Sequence, residues 1–204
     1  MGLTKIKARR LGPPCQAWPG AGSSGRAAAG ISVAVVQHAL PCGGCSLGPP
    51  GIEQGNRGRV FRKILFVCVG NICRSPTAEI MMRHALGRDD MDIGSAGLQA
   101  MVGHPIEATA GLLLRERGLD GSAHVARQAT PALLTAADLI LVMQRRHLAD
   151  ISRDLPQVSG KVFLLGKWRE NCEIPDPYRQ QRVAFEHVYD LIADSVASWV
   201  PYLR

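Results

Sequence analysis

Cys68-Val-Gly-Asn-Ile-Cys-Arg-Ser75 stands between an apolar run, Lys63-Ile-Leu-Phe-Val67, and Pro76-Thr-Ala-Glu79, which opens a helix. The apolar run reads as a buried strand, and proline in a first helical turn sacrifices no hydrogen bond, so the stretch commits the chain to a strand-loop-helix unit. Passing sharply from strand to helix leaves consecutive N–H groups without partners on the chain. They form a concave anion site at the positive end of the helix dipole. Gly70 tolerates positive φ and Asn71 enters the left-handed region cheaply, so both suit a loop that curls its amides inward.

Cys68 and Arg74, with five residues between them, place a thiol and a guanidinium in that loop. The field that attracts an anion also favours a thiolate at Cys68. Arg74 offers a planar fork to two oxygens of a phosphoryl group, which a lysine cannot match, and its stabilisation peaks as charge develops in transfer. The Ser75 hydroxyl is placed to donate to the sulfur, making it a better leaving group. The pattern implies phosphate-ester hydrolysis through a cysteinyl-phosphate. That chemistry needs an acid for the leaving group. Asp176 in Glu173-Ile-Pro-Asp-Pro-Tyr178 is the candidate, because Pro175 and Pro177 stiffen the loop that carries it.

Residues 60–204 resemble the low-molecular-weight protein tyrosine phosphatases, and within them the bacterial branch associated with exopolysaccharide and capsule export. The resemblance runs through Val67 to Glu79, Ser95-Ala-Gly97, His124-Val-Ala-Arg-Gln128, Asp138-Leu-Ile-Leu-Val-Met143 and Ile174-Pro-Asp-Pro-Tyr178. It implies Cys68 as nucleophile, Arg74 as phosphate ligand and Asp176 as general acid. It implies a phosphate-binding loop completed by Val69, Gly70, Asn71, Ile72, Cys73 and Ser75. Asn71, Ser75, Ser95 and His124 match the family's loop-supporting network, and Cys73 is a candidate redox partner of Cys68. The implied fold is a flavodoxin-like α/β three-layer sandwich on a four-stranded parallel sheet, order 2-1-3-4. The implied substrate is a tyrosine-phosphorylated protein, a bacterial tyrosine autokinase in particular. Leu98 and Tyr178 are expected at the pocket rim, packing on an aryl ring. A monomeric cytoplasmic enzyme without cofactor or metal is expected.

Pattern reading agrees on architecture. Lys63–Val67, Asp92–Ala96, Asp138–Met143 and Lys161–Leu165 read as strands, and Thr77–Leu86, Ile106–Arg117 and Arg182–Tyr202 as helices. On the last helix Val183, Val188, Leu191, Ile192, Val196 and Trp199 are expected to face inward. Continuous rather than alternating apolar strands mean burial on both faces, hence a parallel sheet between helical layers, with ligands at its carboxyl edge.

The chain carries 24 Lys+Arg against 17 Asp+Glu, a net charge of +7. Residues 1–59 hold seven basic residues and one acidic, so nearly all the excess lies there. The remainder lacks a basic stripe with interleaved aromatics, which removes the case for nucleic-acid binding. No apolar stretch is long enough to span a membrane. Residues 1–59, rich in Gly, Pro, Ala and Ser, are expected to be a disordered extension, or the product of a start placed upstream of Val60. Cys42-Gly-Gly-Cys45 is a lone pair without partners of metal-site spacing.

Each site residue alone has a plainer reading: a cysteine after a strand packs a core, an aspartate between prolines forms a turn. Their order on the expected elements makes that reading improbable. Three alternatives are weaker. Arsenate reductases of this fold use further cysteines, and none stands between Cys73 and Cys172. Protein arginine phosphatases of the family carry threonine where Ile72 stands. A binding module would need neither thiol nor acid.

Overall fold

The structure, a computed structural model, describes residues 61–204; the expectations for residues 1–59 lie outside them. In chain order the elements are β1 (Lys63–Cys68), α1 (Arg74–Leu86), β2 (Asp92–Gly97), α2 (Ala108–Glu116) and α3 (Pro131–Ala136). There follow β3 (Leu139–Val142), α4 (Arg145–Asp154), a 3-10 turn (Pro156–Lys161), β4 (Val162–Leu164) and α5 (Arg182–Leu203). All strand pairs are parallel, in the order β2-β1-β3-β4, as the sequence led one to expect.

Strand side chains alternate between faces, so β1 divides its apolar residues between two cores. Ile64 and Phe66 pack with Met82 of α1, Leu114 of α2 and Ile192 of α5. Leu65 and Val67 pack on the opposite face with Leu134 of α3 and Ile151 of α4. Each such side chain, fully buried, contributes roughly 1.5–3 kcal/mol, so β1 is the spine of both layers. Its entry is pinned by Asp138, whose Oδ2 accepts from the Arg62 and Lys63 amides at 2.8 Å each. Those two bonds hold the carboxyl below the usual carboxylate range.

Boundaries differ from expectation where they matter. α1 starts at Arg74 rather than Thr77, which puts Arg74 and Ser75 in its first turn. On α5, Val183 is 71% exposed rather than inward-facing. The buried stripe runs through Phe185, Val188, Tyr189, Ile192, Val196, Trp199 and Leu203 at three- and four-residue spacing, and Val183 lies off it. α3 and α4 were not anticipated. α3 is six residues long, although Thr130 caps it through Oγ1 to the Leu133 amide at 3.2 Å with Pro131 behind. α4 is dominated by charged residues and buries only His147 and Ile151. Among the described residues no helix is long and apolar enough to cross a membrane.

Candidate active site

The loop after β1 is built by turning its carbonyls outward. Cys68 O, Val69 O and Gly70 O accept from the amides of Leu98, Gln99 and Met101 at 2.9, 3.0 and 2.9 Å. Asn71 O is 2.7 Å from His124 Nε2, Ile72 O accepts from Glu107 N at 2.6 Å, and Cys73 O from Thr77 N at 3.1 Å. Across a trans peptide the N–H points opposite to the preceding C=O, so six engaged carbonyls leave the amides of residues 69–74 facing the concave side. One of them, Asn71 N, donates to Cys68 Sγ at 3.3 Å.

Asn71 is the keystone. Its φ of 57° takes the left-handed turn. Its Nδ2 donates to Ser75 Oγ at 3.0 Å and Ser95 Oγ at 2.9 Å, and its Oδ1 accepts from Arg127 N at 2.9 Å. Gly70, expected to share the positive φ, does not adopt one; a Cβ there would make only ordinary contact with Ile72. The glycine that the loop requires is Gly97, where a Cβ would come within 2.4 Å of Val69 O and 3.0 Å of Asn71 N. Ser75 Oγ, receiving the Asn71 amide, stands 3.0 Å from Cys68 Sγ, a contact in which either atom can donate, and donates to Ala96 O at 3.4 Å.

Arg74 is 1% exposed. Its NH1 donates to Gln144 Oε1 at 3.0 Å and Ile174 O at 3.2 Å, and its NH2 pairs with Asp176 Oδ2. Ile174 N donates to Met143 O at 2.9 Å, docking the proline-flanked loop on the end of β3. The other oxygen of Asp176 accepts from Tyr178 N at 3.2 Å. Cys68, Arg74 and Asp176 line one cavity of about 160 Å³, together with Val69, Gly70, Ile72 and Cys73.

The cavity wall corrects one expectation. Gln99, Met101 and Tyr178 form it; Leu98 instead packs against the second core and lines a neighbouring groove. Gln99, Met101, Gln144 and Gly97 were missed as site residues. The available signal was position, since Gly97 ends β2 and the other three lie within four residues of the end of β2 or β3, at the carboxyl edge of the sheet. Cys73, at the start of α1, is buried. Burial, then the neighbouring Cys68 sulfur, push its thiol well above the ordinary range. His147, 1% exposed, has no hydrogen-bond partner at either ring nitrogen. Burial, then the positive charges of Arg74 and Arg146, push it down to about 4.

Residues 63–204 match the family described as low molecular weight phosphotyrosine protein phosphatase. The chain belongs to that family. The low molecular weight protein-tyrosine-phosphatase Wzb of Escherichia coli (strain K12) is 43% identical over 145 residues, 71% of this chain and 97% of that protein. The probable family phosphatase AmsI of Erwinia amylovora is 43% identical over 141 residues, 69% of this chain and 96% of its own length. The AmsI crystal structure superposes with a TM-score of 0.67 over 70% of this chain and 93% of AmsI. Vibrio vulnificus Wzb, solved in complex with benzylphosphonate, is 41% identical with a TM-score of 0.66, covering 69% of this chain and 98% of its own.

Proposed function

We propose that this chain is a protein-tyrosine-phosphatase that works through a cysteinyl-phosphate on Cys68, its catalytic unit running from Val60 to Arg204. The observation that carries the proposal is the cradle itself: six outward carbonyls, inward amides, and a sulfur among them that shares its cavity with Arg74 and Asp176.

In the first half-reaction the Cys68 sulfur attacks phosphorus, the P–O bond to the tyrosyl oxygen breaks, and Asp176 gives that oxygen its proton. The loop amides and Arg74 hold the phosphoryl oxygens as charge develops on them. In the second, the Asp176 carboxylate takes a proton from water, the water oxygen attacks phosphorus, and the S–P bond breaks to release phosphate. The Ser75 hydroxyl stabilises the departing sulfur. Asp176 is paired with Arg74. A bound dianion competes for that guanidinium and frees the carboxyl for the leaving group.

The substrate class is phosphotyrosine. Cys68 is 2% exposed while Tyr178, which lines the same cavity, is 40% exposed, so a long aryl phosphate suits the buried sulfur better than the shorter phosphoserine. Ile72, where the family's arginine phosphatases carry threonine, favours the aryl group over phosphoarginine. The family resemblance makes the physiological partner a tyrosine-phosphorylated protein, a bacterial tyrosine autokinase of exopolysaccharide or capsule export. Vibrio vulnificus Wzb, which binds benzylphosphonate, is in keeping with an aryl substrate. Hydrolysis of phosphotyrosyl, phosphoarginyl and phosphoseryl peptides is the test: preference for the first is expected, and a preference for either other class overturns the assignment. Cys68→Ser should abolish turnover yet still bind phosphate, because amides and Arg74 remain.

Cys73 is assigned a protective role. Peroxide converts the Cys68 sulfur to a sulfenic acid, and the Cys73 thiol condenses with it, releasing water and forming a disulfide that a dithiol reduces. Loss of the negative sulfur also removes one cause of the raised Cys73 value. Peroxide-treated protein should recover with dithiol, and the Cys73→Ala variant should recover several-fold less.

A further inference from the structure

A second concavity, of about 530 Å³, opens beside the phosphate cavity, and Gln99 lines both. Its lining includes the apolar Leu98, Ala129, Leu134, Ile151 and Leu155. These residues belong to the core between the sheet and α3 and α4, or pack against it, so the floor is continuous with rigid structure. The wall between the two cavities, tied to the loop carbonyls through the Leu98, Gln99 and Met101 amides, is held on its other side by Gln128, whose Oε1 accepts from Ala100 N at 3.0 Å and whose Nε2 donates to Leu98 O at 2.7 Å. On the side of α4, Arg153 reaches Asp150 at 3.1 Å and Asp154 at 2.9 Å, so two carboxylates share one guanidinium.

We propose that this groove is the specificity subsite of the phosphatase, seating one large apolar side chain of the substrate polypeptide near its phosphotyrosine. The inference rests on the reading of Cys68 as the reacting group. The cavity of about 160 Å³ takes the phosphate and the ring, which leaves the substrate backbone at the rim. Successive residues advance at most about 3.3–3.6 Å, so a residue two or three positions away passes over a groove that begins at the far side of Gln99. An apolar floor selects Leu, Ile or Phe there, since burial removes their surface from water. The surplus carboxylate on the α4 side disfavours an acidic neighbour. A pinned wall adds to discrimination because no loop must be ordered on binding.

The experiment uses the full chain and phosphotyrosyl peptides carrying Ala, Leu, Phe or Asp at each of the three positions on either side of the phosphotyrosine, with phenyl phosphate as a substrate too short to reach the groove. At one position Leu or Phe should raise kcat/KM at least tenfold over Ala, with Asp the poorest. Ala129→Leu, which fills the floor, should cut that preference below threefold, each peptide rate being taken relative to the same protein's rate on phenyl phosphate. Leu155→Ala, which enlarges the floor, should move the preference from Leu toward Phe and serves if Ala129→Leu does not fold. A flat panel, or a preference that survives in whichever of these variants fold, overturns the subsite while leaving the phosphatase reading standing. Failure of the parent protein to hydrolyse phenyl phosphate overturns the phosphatase reading itself.

Discussion

The two sides of the phosphate cavity are built in opposite ways. The cradle, Cys68 to Ser75, is one contiguous segment whose carbonyls are each tied to a neighbour and whose Asn71, Arg74 and Ser75 are at most 1% exposed. The opposite side carries Asp176, about a hundred residues later, on a proline-flanked loop. Its side chain is 36% exposed and is held mainly by Arg74 and the Tyr178 amide. Binding demands a shape fixed before the anion arrives, because every amide left to reorient would cost affinity. Proton transfer demands a group that lets go of one partner and reaches another. A fixed cradle and a releasable acid follow from those two requirements.

Changes on the two sides should therefore separate binding from turnover. Asp176→Asn removes the proton and the ion pair with Arg74 but leaves the loop's backbone bonds in place. Hydrolysis of a phosphotyrosyl peptide should fall roughly 10² to 10⁴-fold, while an activated aryl phosphate, whose leaving group needs no proton, loses far less. Steady-state rates on both substrates measure it. Equal losses would move the acid role to another residue and erase the contrast between the two sides.

Gly97→Ala attacks the cradle from outside the segment. The added methyl meets the backbone of Val69 and Asn71, neither of which has a flexible end to swing away. Overpacking of this kind costs about 1–3 kcal/mol, and the displaced amides should weaken inorganic phosphate binding at least about tenfold. Denaturant melts and phosphate titration read the two effects. Unchanged phosphate affinity would mean that the cradle does not depend on the end of β2 for its shape.

The effect of His147 is confined to acid and leaves both sides of the cavity unchanged at neutral pH. In the folded protein it takes up a proton only near pH 4, whereas the unfolded chain does so near 6.5. Between those values the unfolded state binds more protons. The contribution is thus complete above about pH 6.5 and is lost as pH falls toward 4, with a slope of up to about 1.4 kcal/mol per pH unit. His147→Gln should flatten that acid limb in pH-dependent melts. An identical limb in the variant would assign the acid loss to carboxylates such as Asp138.

How much of this was visible in sequence follows the same division. The cradle could be read because it is contiguous: strand, loop, helix start and Cys68 occupy residues 63–79, and the sheet order followed with the family. Asp176 stood out as the candidate acid because prolines flank it. What stayed hidden was assembled across the sheet. Gln144 and Ile174 O hold Arg74 from 70 and 100 residues away, and no local pattern encodes that meeting. Gly70 and Asn71 both suited a left-handed turn, and only Asn71 takes it, with its side-chain amide joining Ser75 and Ser95. α4 escaped because charged residues dominate it, and Leu98 was placed at the rim because sequence adjacency does not say on which side of Gln99 a side chain falls.

The most direct measurement is to catch the intermediate. Asp176→Asn protein, mixed with a phosphotyrosyl peptide, quenched in acid within a turnover and digested, should yield a phosphoryl group on the peptide containing Cys68. The adduct should decay with the same rate constant that governs phosphate release, and Cys68→Ser should carry none. Phosphate release with no adduct on Cys68, or an adduct on another residue, would contradict the cysteinyl-phosphate mechanism.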